Sequence, residues 1–229
     1  MWQSKSDGSG SKVNRMLCMR LFRSMSLICA LVVVCLSAVA QRQVRLPAPE
    51  RRALETFFSN FAEAGVGAFR EGHLAERDLI AFGVRHNYRN NFKRFENIKG
   101  TGKVRIAARH VEESVRKFFG RGIANHRSLD RWTVFRDGYY VMDAADGDAW
   151  DFSQVSEFRS LGHDWFSAVV AVFTAPNTWG GDVHAPQSTW RDDGPGVPQF
   201  HKHFIGTIKR VTEHNQRRYI LLDYRDWSD

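Results

Sequence analysis

The sequence predicts an α+β domain, with about three helices between residues 50 and 120 packed on a curved antiparallel sheet of five to six strands between residues 130 and 225. Two observations predict this fold class. Apolar residues recur at helical spacing before residue 120 and alternate with a period of two beyond residue 130. Helices that precede an antiparallel meander pack on one face of its sheet, because each element has an apolar face to bury.

The helical part of the chain contains three segments. The first begins near Pro49 and carries an apolar stripe at i, i+3, i+4 and i+7, formed by Leu54, Phe57, Phe58 and Phe61. A second helix is predicted over about residues 75–91, and a short extended piece follows at 104–106. The third helix, about 108–119, is apolar on one side, and Gly120 is well placed to end it.

The strand part begins with a hairpin. Asp137-Gly138 is a pair that favours a type I′ turn, and it separates two alternating segments. The segment 165–175 is apolar on both faces, which predicts a central strand covered on both sides. Residues 176–199 form a long loop. The predicted strands are 132–136, 139–145, 152–160, 165–175, about 204–212 and about 218–224.

The front of the chain is typical of a secretory signal peptide. Arg20 and Arg23 precede a 14-residue apolar run, Leu27 to Ala40, which closes with Ala-Val-Ala. We expect cleavage between Ala40 and Gln41. A run of this length is shorter than the roughly 20 apolar residues that cross a bilayer. The sequence therefore predicts a secreted or periplasmic protein with no transmembrane segment in its mature chain.

This leader defines the predicted domain organisation. Residues 1–40 are an upstream extension and signal peptide, 41–49 a lead-in, and 50–229 a single α+β domain. The three cysteines of the chain lie in the leader, so the predicted mature protein has neither a thiol nor a disulfide: they are Cys18, Cys29 and Cys35.

Charge is distributed unevenly along the chain. The net charge is +8, of which residues 1–40 carry +4, so the predicted mature chain carries +4. Residues 85–131 hold thirteen Lys and Arg against four Asp and Glu, whereas 132–198 hold three against ten. Such asymmetry indicates either a face that binds polyanions or basic and acidic surfaces that face each other or water. We favour the second interpretation and expect no specific nucleic-acid partner.

The second predicted helix carries polar residues on its apolar side. At 100° per residue, His86, Asn87 and Asn90 fall on the stripe that begins at Leu79. Buried polar groups need partners, because an unpaired one costs about 1–3 kcal/mol. We expect all three to be buried and hydrogen-bonded. They either brace neighbouring segments or line a pocket that binds a ligand.

Three histidines form the candidate metal site. His201 and His203 alternate in a predicted strand and therefore share a face, while His184 lies in the preceding loop beside Asp182. Neutral imidazoles with a carboxylate can bind zinc or another divalent metal. No established ligand spacing accompanies them, and the sequence indicates no cofactor.

Three common catalytic motifs are absent from the sequence. It contains no GxSxG segment and no complete phosphate-binding loop, and the predicted mature chain has no cysteine nucleophile. Whether the protein is an enzyme stays open. We expect a non-enzymatic domain of the cell envelope that binds a small molecule or an envelope partner. The alternatives are a small hydrolase or isomerase with a pocket near the second helix, and a polyanion-binding protein that uses residues 85–131.

Two resemblances accompany these patterns. The order helix, helix, strand, helix, strands resembles the cone-shaped nuclear transport factor 2-like fold, with a cystatin-like cone as the alternative. Three segments resemble uncharacterised secreted proteins of bacteria and together span about residues 53–224: 79–91 (LIAFGVRHNYRNN), 111–120 and 218–224. The second resemblance implies secretion and the α+β layout, but it implies no role for any residue.

Overall fold

A computed structural model describes residues 42–144, 149–192, 194, 196–213 and 215–227. Within these ranges the chain forms three α-helices and two antiparallel sheets, of five and four strands, which confirms the α+β class. The predicted leader and cleavage site lie outside the described residues and stay predictions. None of the helices described in these ranges is long and apolar enough to cross a membrane.

The helices are α1 (Ala48–Glu63), α2 (Glu76–Asn90) and α3 (Ala108–Phe119). The predicted stripe of α1 is buried, and its phenylalanine rings form edge-to-face and stacked contacts with rings of the other two helices. Helix α3 ends at Gly120, whose φ of 68° is the left-handed conformation that glycine adopts readily. The three helices therefore share one aromatic core.

A glycine allows α2 and α3 to approach closely. A Cβ atom at Gly83 would lie 2.6 Å from Val111 Cγ1 and 2.8 Å from the Val111 carbonyl oxygen. No side chain fits at these distances without moving the backbone of α3. Glycine costs about 1 kcal/mol of helix propensity relative to alanine, and close packing of the two helices offsets that cost.

Nine strands are described: β1 (Arg42–Gln43), β2 (Glu96–Ile98), β3 (Lys103–Ala107), β4 (Val134–Arg136), β5 (Tyr139–Asp143), β6 (Ala149–Gly162), β7 (Trp165–Pro176), β8 (Gln199–Glu213) and β9 (Gln216–Asp226). The large sheet has the order β1-β6-β7-β8-β9, and the small sheet has the order β2-β3-β5-β4. Asp137 and Gly138 both have positive φ in the turn between β4 and β5, as the predicted type I′ hairpin requires.

Strand β7 lies at the centre of the large sheet, as predicted. One face of the sheet joins the core made with the helices, where Val170 and Val172 are buried. Its other face carries a second apolar cluster formed with the loop after β7, and that cluster contains Phe152, Ala171, Phe173, Ala175 and Trp179. The loop that follows β7 therefore covers apolar surface as well as connecting two strands.

Candidate functional site

Asn87 is a brace between α2 and α3. It is fully buried, and its side-chain nitrogen donates to the Gly83 carbonyl at 2.7 Å and to Ser114 Oγ at 2.8 Å. A longer bond of 3.2 Å reaches the His110 carbonyl, and the side-chain oxygen accepts from Arg94 Nη1 at 3.3 Å. Every polar atom of the amide is thus used within the protein, which leaves none to bind a ligand.

His86 is a buried, neutral histidine. Its ring stacks on Phe82, with centroids 5.4 Å apart, and contacts the edge of Phe118 at 4.7 Å. Burial and, to a smaller extent, the positive charges of Lys117 and Arg94 together lower the pKa of His86 to about 4. The imidazole is therefore uncharged near pH 7 and packs as an aromatic core residue.

The expectation that Asn90 is buried is wrong. Asn90 is the last residue of α2 and is exposed, although it lies on the same side of the helix as His86. Its amide donates to Glu63 Oε2 at 2.8 Å, at the end of α1. Burial raises the pKa of Glu63, although the bond from Asn90 opposes that rise. Helical phase gave the correct side of the helix, but the neighbouring elements do not cover its last turn.

The cavity that α2 lines lies away from these polar residues. It has a volume of about 390 Å³, and its walls include Ala64, Asp78, Phe82, Arg85 and Asp130. Neither His86 nor Asn87 lines it. The bracing interpretation of the polar residues on α2 therefore fits their geometry better than the pocket interpretation.

The three histidines predicted to bind a metal separate into two groups. His201 is exposed, whereas His184 and His203 line a common cavity of about 300 Å³. Across the described part of the chain, His, Cys, Asp and Glu side chains nowhere gather in a group of three or more that could hold a metal ion. Strand β8 has a bulge between its pairings Val172–Lys202 and Phe173–Phe200. Alternation along the sequence therefore does not predict which face of β8 the histidines occupy.

Helix α1 covers one edge of the large sheet beside this cavity. The backbone N–H of Ser153 donates to Ser59 Oγ at 2.9 Å, and that of Val155 donates to Glu55 Oε1 at 3.4 Å. Residues i and i+4 of a helix rise about 6 Å, close to the roughly 6.6 Å between alternate strand residues. Ser59 and Glu55 can therefore take the hydrogen bonds that a neighbouring strand would otherwise accept.

The Glu55 carboxylate has a second partner, His184. His184 Nδ1 lies 2.7 Å from Glu55 Oε2, and the two side chains are 18% and 4% exposed. A buried carboxylate needs such partners, because an unpaired buried charge is strongly destabilising. The pair joins residues 129 positions apart along the chain. Helix α1 and the loop after β7 therefore meet at this carboxylate.

Further contacts fix the loop around His184. The Gln154 amide nitrogen donates to the carbonyls of Val183 and Ala185, at 2.7 and 2.9 Å. Asp182 accepts from the His184 backbone N–H at 2.9 Å and forms a salt bridge of 3.4 Å with Arg52 of α1. Hydrogen bonds on both sides of His184 thus hold its backbone against β6 and α1.

The cavity beside His184 combines a polar lining with an aromatic neighbourhood. Its polar lining consists of Arg51, Glu55, Gln154, Ser156, His184, Gln187 and His203. The His203 ring contacts two exposed aromatic side chains, Phe200 (53% exposed) at 4.7 Å and Trp227 (40% exposed) at 5.1 Å. Concave sites with a few fixed polar groups and aromatic surface commonly bind small molecules. We take this cavity as the candidate functional site.

Sequence reasoning identified His184 and His203 but missed Glu55, Arg51 and Gln154. Glu55 borders the apolar stripe of α1, where a carboxylate is ordinarily solvated, so periodicity gives no sign of its burial. Its partner, His184, lies in a loop whose position in the fold the sequence does not predict. The one available signal was His184 beside Asp182, and it pointed to a metal rather than to a carboxylate–histidine pair.

Several cations of the basic segment 85–131 have partners within the protein. Four of its cations form salt bridges with acidic side chains: Arg94 with Glu113, Lys103 with Asp143, Arg105 with Glu96, and Arg116 with Glu112. Arg85 and Arg121 donate instead to the backbone carbonyls of Ala64 and Leu74. Of these four bridges, only the Lys103–Asp143 bridge joins this segment to the acidic stretch 132–198, because Glu96, Glu112 and Glu113 belong to the segment itself. Polyanion binding by this segment stays a prediction.

Comparisons with protein-family models, with curated proteins and with solved structures gave no significant match. The interpretation of the site therefore rests on its geometry.

Proposed function

We propose that the chain is a secreted or periplasmic domain that binds a small polar molecule in the cavity beside His184. The observation that carries the proposal is the buried Glu55–His184 pair, at 2.7 Å, in the wall of a cavity of about 300 Å³. A volume of this size is at the lower end of the range of small-molecule sites. Secretion is supported by the apolar run and the Ala-x-Ala end at Ala40.

We also propose that the domain belongs with the uncharacterised secreted bacterial proteins whose segments it resembles. The order of elements after β1, with two helices before β2 and β3, a third helix after them and then β4 to β9, supports an arrangement of the nuclear transport factor 2-like or cystatin-like kind. This relation concerns architecture and carries no ligand, because unrelated functions occur on one fold.

Blocking the cavity tests the binding proposal. Ser156 is exposed and lines the cavity, so Ser156→Trp should fill it while leaving the core intact. Ser188→Trp is the matched control, at an exposed position that does not line the cavity. We would recover the chain from the envelope of its host, identify small molecules that copurify by native mass spectrometry, and screen small polar compounds by ligand-observed NMR.

We expect at least one small molecule to bind the wild-type chain and Ser188→Trp, and to be lost from Ser156→Trp. Equal binding by all three chains would place the ligand elsewhere and overturn the assignment of the site. Failure of every compound, together with native spectra that contain only the bare chain, would overturn the binding proposal itself.

A further inference from the structure

We propose that His184 is a general base, and that the cavity catalyses proton transfer from a C–H bond beside the carbonyl of a small carboxylate-bearing molecule. The proposal rests on the proposed function, because the same cavity must bind the molecule. It assigns a reaction and a substrate class to a site otherwise described only as a binding site.

The hydrogen bonds of the Glu55–His184 pair determine which ring nitrogen is basic. Glu55 Oε1 accepts from the Val155 N–H at 3.4 Å, and Glu55 Oε2 lies 2.7 Å from His184 Nδ1, an arrangement that suits an ionised carboxylate. An ionised carboxylate accepts only, so Nδ1 carries the hydrogen and the lone pair of a neutral ring is on Nε2. Nε2 makes no hydrogen bond to any described residue, and His184 lines the cavity.

The base is also held in place before any ligand arrives. Glu55 is fixed by α1 and by the N–H of Val155, and the backbone on both sides of His184 is bonded to Asp182 and Gln154. A group held in one geometry avoids the entropic cost of orientation during the reaction. A histidine with these restraints can therefore act repeatedly from the same position in the cavity.

Arg51 determines the class of substrate. It lines the same cavity and makes no salt bridge to an acidic side chain of the described residues. Its neighbour Arg52, by contrast, is paired with Asp182. Arg51 is exposed to solvent where it lines the cavity. A guanidinium binds a carboxylate through two parallel hydrogen bonds, so an arginine that has no described ion pair favours an organic acid. It can equally stabilise negative charge that develops on a carbonyl oxygen beside the carboxylate.

The chemical step is balanced without any redox partner. The C–H bond next to the carbonyl breaks, its proton moves to His184 Nε2, and its electron pair becomes that of an enolate. The ring is then an imidazolium, and the Glu55 carboxylate stabilises its charge. Return of the proton to the same carbon restores the substrate, and return to another atom gives an isomer.

Deuterium exchange measures this step directly. We would incubate the protein in D₂O with a series of 2-oxo acids of three to six carbons and follow loss of the C–H signal beside the carbonyl by ¹H NMR. We expect exchange at rates at least about 100-fold above those of His184→Asn, a general-base contribution of ordinary size. The asparagine amide can still donate to Glu55, so this variant keeps the loop anchored.

Two further variants complete the experiment. His163→Asn is the matched control, because His163 lies in an exposed turn with a φ of 49°, which asparagine tolerates, and it should exchange like the wild type. Glu55→Gln tests Glu55 as a positioning residue. Long-range ¹H–¹⁵N spectra should show Nδ1 protonated in the wild type and a changed tautomer in the variant, with slower exchange.

The outcomes separate this proposal from the one before it. Exchange that is lost in His184→Asn and kept in His163→Asn supports it. If the acids bind but no C–H exchanges faster than in buffer, or if His184→Asn exchanges like the wild type, the general base is overturned and the binding site stands. If no acid binds to a cavity that binds other compounds, the substrate class is overturned.

Discussion

Replacing Asn87 with alanine removes a fully buried amide and the bonds it makes to α3. The Ser114 hydroxyl, itself buried, loses its 2.8 Å partner, whereas Arg94 keeps its salt bridge to Glu113 at 3.1 Å. A buried polar group left without a partner costs about 1–3 kcal/mol, and the space left by the amide adds to that. We expect Asn87→Ala to lower the free energy of unfolding by roughly 2–3 kcal/mol.

Asn90→Ala is the matched control, because both residues are asparagines on the same side of α2 and only Asn87 is buried. The Asn90 amide donates to Glu63 Oε2 at 2.8 Å in an exposed position, and its only other described contact, with His86 Nδ1, is long at 3.5 Å. We therefore expect a loss of less than about 0.5 kcal/mol. Urea unfolding followed by circular dichroism gives both values, provided that the m-values agree. In a domain of this size, 2–3 kcal/mol corresponds to a fall in Tm of roughly 4–12 °C.

A double-mutant cycle locates the lost energy. If Asn87 and Ser114 stabilise each other, Asn87→Ala combined with Ser114→Ala should cost less than the sum of the two single substitutions, by about 0.5–3 kcal/mol. Equal losses in Asn87→Ala and Asn90→Ala would refute the bracing role. So would a ligand whose binding is abolished by Asn87→Ala while the unfolding curve is unchanged.

Four further predictions follow from the same structure and sequence. Gly83→Ala should destabilise by roughly 1–3 kcal/mol, because its Cβ would lie 2.8 Å from the Val111 carbonyl oxygen, whereas Gly67→Ala, which meets nothing within 4 Å, should be nearly neutral in urea unfolding. The pKa of His86 lies at about 4 rather than 6.5, so the unfolded state binds more protons between these values and stability should fall by roughly 3 kcal/mol as pH drops through them. Unfolding curves of His86→Gln should lack that part of the pH dependence. N-terminal sequencing of the exported chain should begin at Gln41, and a chain that retains residues 20–40 would contradict the signal-peptide prediction. Retention on heparin should be weak and lost well below physiological salt, and tight binding there would revive the polyanion hypothesis.

Short-range patterns predicted those parts of the fold that depend on near neighbours. The stripe of α1, the glycine end of α3 and the Asp137-Gly138 hairpin each involve residues a few positions apart, and the structure confirms all three. Strands β1 and β2 were missed, since they have two and three residues and too little alternation to detect. The division of the strands between two sheets was missed too, because pairing partners are not encoded in periodicity.

The candidate site lies beyond what such patterns can predict. Helical phase identified the buried partners of α2, but it gave the wrong burial for Asn90, because phase does not show where a neighbouring helix stops covering the surface. His203 was singled out from its alternation with His201, and His184 from its place beside Asp182 in the preceding loop. The carboxylate that restrains His184 comes from a helix 129 residues earlier, and only the folded chain brings the two together.

The position of the cavity follows from how the edge of the large sheet is covered. Along β6, α1 takes the N–H groups of Ser153 and Val155, and β1 pairs with Arg159 and Ser160. Between the parts of β6 that α1 and β1 cover, the strand has a bulge at Ser156, where one extra residue interrupts the pairing with β7. A bulge leaves a strand edge that neither a helix nor a second strand can follow closely, and bulges are common beside functional sites.

The cavity of about 300 Å³ and a second one of about 340 Å³ both reach Ser156 and Val155, and both include Arg51. Arg51, which has no described ion pair, therefore lies beside the uncovered stretch of β6 at Ser156. Glu55 lies between the covered part of β6 and the cavity. Its Oε1 accepts from the Val155 N–H at the sheet edge, and its Oε2 contacts His184. Substituting Glu55 should therefore disturb the sheet edge and the ring together, whereas His184→Asn should disturb only the proposed proton transfer. That difference makes His184 the position at which fold and function can be separated by experiment.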